Sequence, residues 1–243
     1  MLMLATGGAM LAGGGEVIAL VHPGRLVWAA GTGATLLLSV MMARRGLGGS
    51  AWVSGIMAGI LLLLLGIGST LPVQPAMVQG VSPARSILQG ACYAGFNMAL
   101  ASPGLADASA GLNSREKRRC ALLMTGMLAA LLALGNGVML RRGADQRYAM
   151  PLLQMSLHLG VLGRGLCCGG MYLAVLTTAC AAMRGLWLLL TQGRWARIGA
   201  VGGMLLCAMA GFTGIVEVVY PVLGGGCLLL LVTAWGTKIE KNA

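Results

Sequence analysis

Two short polar clusters interrupt the apolar segments of this 243-residue chain, and the first contains Tyr93, Gly95 and Asn97. These residues lie in segment 85–103, which is the most polar of the apolar segments. A glycine-interrupted membrane helix can unwind and expose backbone carbonyl and amide groups to an ion or a polar solute. We therefore interpret the three residues as candidate solute-binding residues.

The second cluster consists of Thr177 and Thr178, which are adjacent within the sequence LAVLTTACAA. Two adjacent hydroxyls inside an apolar segment make this pair a candidate functional cluster. The alternative is that each hydroxyl donates a hydrogen bond to a carbonyl of the preceding helical turn, as hydroxyl side chains in membrane helices commonly do.

Two acidic residues, Glu16 and Glu217, lie in or at the end of apolar segments. A charged side chain at the centre of a membrane helix costs roughly 2.5–3.5 kcal/mol on insertion scales, so both are candidates for proton coupling. Both also lie near a segment end, where interfacial water would relieve that cost, and the two interpretations are equally supported. The remaining acidic residues fall in connections or in the C-terminal tail: Asp107, Glu116, Asp145 and Glu240.

No pattern in the sequence indicates catalysis. The chain has no Ser–His–Asp set, no phosphate-binding glycine loop, no HExxH motif and no cysteine–histidine spacing typical of a metal site. We therefore expect a protein that is not an enzyme and holds no cofactor. Most of the cysteines lie in apolar segments and are expected to be small packing residues without disulfides.

The composition indicates the elements that must position these residues. Hydrophobic residues make up 58% of the chain, charged residues only 9%, and there are 40 glycines, with a mean hydropathy of +0.85. Soluble domains contain about 25% charged residues, so this chain is expected to lie in the lipid bilayer. Long apolar segments predict an all-α, polytopic transmembrane helix bundle rather than a barrel.

The apolar segments predict a single transmembrane domain over residues 1–243, with eight crossings and one short helix on the extracellular side. The crossings are expected at about 2–20, 26–42, 51–71, 85–103, 120–140, 166–189, 198–217 and 220–236. The segment 85–103 is expected to stop at Pro103. The short helix is expected at 148–163, where a ninth full crossing is the alternative.

Basic residues favour the arrangement with eight crossings, because the larger basic set then lies on one side. That set is Arg44, Arg45, Arg115, Lys117, Arg118, Arg119, Arg194, Arg197, Lys238 and Lys241. The smaller set is Arg25, Arg85, Arg141, Arg142, Arg147 and Arg164. The positive-inside rule predicts that the larger set and both termini are cytoplasmic. Because the net charge of +11 is divided among connections, nucleic-acid binding is not expected.

Four motifs resemble those of the YkvI family of bacterial multi-pass membrane proteins, which is related to the amino acid–polyamine–organocation transporters. They are MLAGGGEVIA at 10–19, YAGFNMALASPGL at 93–105, MPLLQMS…YLAVLTTA at 150–179 and GFTGIVEVVYPVLGGG at 211–226. The resemblance implies a LeuT-type fold of two inverted five-helix repeats. This chain would begin at the third span of that fold, so the first two spans are absent.

The resemblance also implies where the site would lie. Segment 85–103 would be the sixth helix of the fold, with Gly95 in its unwound part. Thr177 and Thr178 would lie on the eighth helix, beside the ion, and helix 148–163 would be an external loop helix.

The expected function is secondary transport of a small polar solute across the inner membrane of a bacterial cell, coupled to Na⁺ or H⁺. Three explanations remain for the absent spans: a misassigned start, a remnant gene, or a partner chain or second copy that supplies them. The alternative is a non-transporting membrane protein, either an inert fragment or a packing subunit.

Overall fold

The computed structural model describes residues 1–45, 55–56, 59–60, 82–142, 160–190, 193–215 and 220–240. These residues form helices joined by short connections, and none of them lies in a β-strand. The helices are α1 (Leu2–Ala19), α2 (Arg25–Arg45), α3 (Pro83–Ser109), α4 (Ser114–Arg142), α5 (Gly160–Leu189), α6 (Arg194–Met209), α7 (Phe212–Gly214) and α8 (Tyr220–Glu240). The predicted all-α class is confirmed for this part of the chain.

Four of the described helices are long and apolar enough to span a membrane. They are Leu2–Ala19, Arg25–Arg45, Ser114–Leu140 and Gly160–Leu189. Their length and composition are those of a protein embedded in the bilayer, as the composition predicts. The predicted crossing at 51–71 lies outside the described residues except for 55–56 and 59–60, which are helical.

The segment predicted as a separate helix at 148–163 lies largely outside the described residues. Its last part, from Gly160 onwards, belongs to α5, which therefore begins six residues before the predicted crossing at 166–189. Gly160 has a φ of +70°, a conformation that glycine adopts without steric cost.

Helix α1 lies at the centre of the bundle, because α2, α5 and α6 all pack against it. Glycines make this close packing possible on two faces. A Cβ atom at Gly8 would collide with Cys207 of α6, and one at Gly14 would collide with the Thr35 hydroxyl of α2. Small residues let membrane helices approach closely enough for extensive van der Waals contact. Consequently Leu11, halfway along α1, is fully buried.

The directions of the helices follow from the residues that meet. The Arg164 guanidinium, near the start of α5, donates a hydrogen bond of 3.3 Å to the Leu20 carbonyl just after α1, so α1 and α5 are antiparallel. Helices α1 and α6 are parallel, because Leu4 packs on Gly203 and Gly8 on Cys207. Glycines from both helices likewise bring α1 and α2 together as an antiparallel hairpin.

Among the described residues, the larger of two apolar clusters joins the central helices to α3, and the smaller one contains Val17 and Cys167. The buried members of the larger cluster include Leu11 of α1, Phe96 and Leu100 of α3, Met183 of α5 and Met204 of α6. Lipid tails are as apolar as these side chains, so inside a bilayer the cluster stabilises the bundle by van der Waals packing and not by removal from water.

Helix α3 is longer and more regular than predicted. It runs without interruption through Gly95 and past Pro103, so neither the predicted unwinding nor the predicted stop at Pro103 is observed. A proline nitrogen has no hydrogen and leaves the carbonyl four residues earlier without a donor. That carbonyl belongs to Ala99, and the Ser102 hydroxyl donates to it at 2.8 Å. This hydrogen bond explains how the helix continues to Ser109.

The predicted crossing at 198–217 is interrupted. Helix α6 ends at Met209, and Gly211 follows with a φ of +79° before the short helix α7 begins. The backbone N–H groups of Ala210 and Gly211 donate to carbonyls of the last α6 turn at 3.0 Å, so the turn closes tightly. The bundle therefore has a helix break at Gly211. The sequence predicted a break at a different position, near Gly95.

Helices α3 and α8 form a close parallel pair. A Cβ at Gly95 would lie 3.2 Å from the backbone of Leu228, and one at Gly224 would collide with the backbone carbonyl of Cys92. By contrast, α4 makes no extensive contact with any other described helix, and apolar side chains such as Leu123 and Leu128 are exposed along it. In a bilayer these side chains would meet lipid.

Candidate solute and ion site

The predicted solute-binding residues lie on α3, at the side of the bundle. Tyr93 is 58% exposed, whereas Asn97 is half-buried. The Asn97 side-chain amide donates a hydrogen bond of 2.8 Å to the Tyr93 carbonyl, one turn earlier. One N–H of the amide is thus used within the helix, and Asn97 can offer its second N–H and its Oδ1 atom to a ligand.

Gly95 lies in continuous helix at a contact with α8, and its predicted role in solute binding stays a prediction. It is buried, and its Cα faces α8 instead of an open cavity. Its lack of a side chain allows the backbones of α3 and α8 to approach, and its own backbone remains helical. Gly95 therefore contributes to the packing of α3 against α8.

Thr177 and Thr178 lie half-buried on α5, and both hydroxyls reach back to their own helix. They donate to the Ala174 carbonyl at 3.0 Å and 2.9 Å, respectively. This is the alternative geometry that membrane threonines commonly adopt. A hydroxyl that donates its hydrogen keeps its oxygen lone pairs, so both oxygens can still coordinate a cation.

The two clusters do not form a single polar site. Among the described residues, Asn97 and Thr178 share no hydrogen bond, and the core between α3 and α5 is apolar. Next to Asn97 on α3, the Phe96 ring stacks on the Tyr220 ring at the start of α8, with ring centroids 4.1 Å apart.

Glu16 lies beside the helix break, a relationship that the sequence did not predict. It is half-buried near the end of α1 and lies close to the backbone N–H of Phe212, the first residue of α7. The break brings a backbone donor to an acidic side chain within the bundle. Glu217, the other predicted carboxylate, lies outside the described residues.

A polar contact in the core was also missed. The hydroxyl oxygens of Thr35 on α2 and Tyr172 on α5 lie 3.3 Å apart, and Thr35 also donates to the Gly31 carbonyl at 2.8 Å. The available signal was the spacing of Thr32, Thr35 and Ser39, which places three buried polar residues on one helical face. The partner residue, 137 positions away, gives no such signal.

The burial of the Thr32 hydroxyl is explained by helix packing. Its hydroxyl oxygen is buried without a hydrogen-bond partner, yet it lies against the Cα of Gly15 on α1. Contacts between a Cα–H group and an oxygen recur where membrane helices approach closely. Thr32 and Gly15 therefore belong to the α1–α2 interface.

Within the described part of the chain, no three histidine, cysteine, aspartate or glutamate side chains converge as a metal site would require. The chain matches no protein-family model, no curated protein and no solved structure. The family resemblance suggested by the four sequence motifs therefore remains a prediction.

Proposed function

We propose that this membrane protein is a secondary transporter of a small polar solute. The observation that carries the proposal is the position of Glu16, a half-buried carboxylate on the central helix that lies near Phe212, the residue after the helix break at Gly211. Acidic residues within membrane bundles often belong to ion or proton pathways. Broken helices supply such pathways with backbone groups that continuous helices do not offer.

Helix directions support the proposed topology of eight crossings. Helix α5 is antiparallel to α1 and α6 is parallel to it, as expected when 148–163 does not cross the membrane. A crossing there would reverse both directions. With the positive-inside rule, this arrangement agrees with cytoplasmic termini, and it is compatible with a LeuT-like fold that lacks two spans. The bacterial inner membrane is the location that we propose on the resemblance alone.

Coupling to H⁺ at Glu16 is our first assignment, and coupling to Na⁺ at Thr177 and Thr178 is the second. The carboxylate can gain and lose a proton beside the break, whereas the threonine hydroxyls already donate to Ala174. We place the solute near Tyr93 and Asn97 on α3, whose ring and Oδ1 atom are suited to a polar organic molecule.

The test is solute-induced current in proteoliposomes on a solid-supported membrane. The probes are a mixture of the common L-amino acids and, separately, putrescine, each applied with an inward H⁺ gradient or an inward Na⁺ gradient. We expect a current that requires the H⁺ gradient and is lost in Glu16→Gln. The matched control is Glu116→Gln, an exposed carboxylate at the start of α4 whose replacement should leave the current unchanged.

The assignment of Na⁺ coupling to α5 is tested by a variant and a matched control variant. Thr178→Val removes a candidate ligand, while Thr233→Val removes a hydroxyl that bonds back to its own helix on α8. A current that follows the Na⁺ gradient and disappears only in Thr178→Val would move the coupling site to α5. No current with any probe or gradient would contradict transport.

The second candidate function is a non-transporting packing subunit or inert fragment. It is favoured by the hydrogen bonds of Asn97 and Thr178, which both end on their own helices, and by the apolar core between α3 and α5. A partner chain or second copy would then cover α4. Absence of current together with stable co-purification of another membrane protein would support this function.

A further inference from the structure

The geometry points to a binding surface for anionic phospholipid headgroups at the start of α4. This basic surface consists of Arg115, Lys117, Arg118 and Arg119, four exposed cations within five residues. It is independent of the proposed transport function and depends only on the embedding of the helices in a bilayer.

The single acidic residue in this window is already engaged. The backbone N–H of Asn113 donates to the Glu116 carboxylate at 2.9 Å, and the backbone N–H of Glu116 donates to Asn113 Oδ1 at 2.9 Å. This reciprocal pair caps the first turn of α4. The Glu116 carboxylate therefore accepts a hydrogen bond from the backbone. An anion from outside this helix turn would have to compensate the four positive charges.

The position of these cations at the start of a helix is electrostatically unfavourable without an anion nearby. The N-terminal end of a helix carries a partial positive charge, so lysine and arginine in the first turns are unfavourable there unless an anion compensates them. Phosphate groups are the anions that helix N-termini and arginine side chains both favour. A phospholipid headgroup supplies that group at the membrane surface.

The depth of the surface matches a headgroup layer. Apolar residues begin at Cys120, only about 8 Å along the helix from Arg115 at the rise of an α-helix. Exposed apolar side chains such as Leu122 and Leu123 would lie in hydrocarbon, which places the basic surface at the boundary. Residues 114–120 are all exposed, and α4 makes no extensive contact with another described helix, so lipid can reach the start of α4.

Other residues at the same end of the bundle agree with this depth. Arg44 and Arg45 end α2, which is antiparallel to α1, and Arg197 begins α6, which is parallel to α1. The Arg197 guanidinium lies 5.8 Å from the centre of the Trp187 ring. Tryptophan and basic residues together are typical of the interface between bilayer and water.

The test is lipid selectivity of the full chain, measured by native mass spectrometry in mixed micelles with equal amounts of phosphatidylglycerol and phosphatidylcholine. We expect preferential retention of phosphatidylglycerol. The variant R118Q/R119Q should lower that preference by roughly fivefold per removed charge at low salt. The matched control is R141Q/R142Q, which removes an adjacent arginine pair from the other end of the same helix and should keep the preference.

Four outcomes would overturn the inference. Equal loss of selectivity in both double variants would assign it to total charge, and unchanged selectivity in R118Q/R119Q would remove the surface from consideration. Displacement of phosphatidylglycerol by equimolar inorganic phosphate, or RNA binding that R118Q/R119Q abolishes, would assign the cations to a different ligand. The single variant K117Q removes only one charge. Circular dichroism of each variant shows whether it is folded and so distinguishes lost binding from lost folding.

Discussion

The hydroxyl oxygens of Thr35 and Tyr172 lie 3.3 Å apart and link α2 to α5 beside the central helix α1. Thr35 is fully buried, and its neighbours on the same face pack against glycines of α1. This contact is a polar link between two apolar helices. It gives the interface of α1, α2 and α5 a fixed register.

Removing this link should destabilise the bundle measurably. In a double-mutant cycle of Tyr172→Phe and Thr35→Ala, we expect a coupling of about 0.6 kcal/mol, the average for hydrogen bonds between membrane helices. Unfolding by SDS in mixed micelles, followed by circular dichroism, provides the free energies. Thr35→Ser keeps the hydroxyl and should retain the coupling to Tyr172. A coupling of zero would show that the two hydroxyls do not interact.

Gly8→Ala should separate α1 from α6. The added Cβ would meet Cys207 and would lie 2.9 Å from the Met204 carbonyl, so the backbone must shift. Overpacking of this kind typically costs about 1–3 kcal/mol. The control is Gly33→Ala on α2, where a Cβ has no neighbour within 4 Å. Equal unfolding free energies for the two variants would contradict the close contact.

Gly95→Ala distinguishes helix packing from an unwound segment. A Cβ at position 95 would lie 3.2 Å from the Leu228 backbone, whereas one at Gly90 in the same helix would meet nothing. We expect Gly95→Ala to lower the unfolding free energy by about 1 kcal/mol or more and Gly90→Ala to leave it unchanged or raise it slightly. The SDS titration applies here too. Similar losses in both variants would argue for an unwound segment.

Ser102→Ala should weaken α3 only while Pro103 is present. Without the hydroxyl, the Ala99 carbonyl loses its donor, at a cost of about 1 kcal/mol. In the Pro103→Ala background, residue 103 gains a backbone N–H that can serve the same carbonyl, so the loss should largely disappear. The four unfolding free energies of this cycle provide the check. A cost that persists without the proline would exclude the compensation.

Helix positions were largely predictable from hydropathy, because a membrane span requires a continuous apolar segment. The expected crossings at 2–20 and 26–42 correspond to α1 and α2 with small changes at their ends. The stop predicted at Pro103 was wrong for a local reason, since one hydroxyl replaces the missing donor at Ala99. Proline alone does not reveal whether such a donor is available.

The site was less predictable because it depends on contacts between distant residues. Gly95 and Gly211 look alike in the sequence, yet Gly95 is covered by α8 while Gly211 allows the chain to turn. Which glycine breaks its helix is determined by the helix that packs against it. The approach of Glu16 to Phe212 likewise requires that α1 and α6 lie side by side, which no local pattern encodes.

The central place of α1 has a consequence for biosynthesis. During translation, residues 2–19 emerge long before residues 160–209, which supply most of the surface that buries them. Until then, α1 must enter the bilayer with α2 as its main described neighbour, although its hydropathy of 1.4 is the lowest among the four candidate spans. The antiparallel hairpin of α1 and α2, joined through Gly14 and Thr35, is therefore the earliest unit that can form. It would hold the glycine-rich helix in place until the later helices arrive.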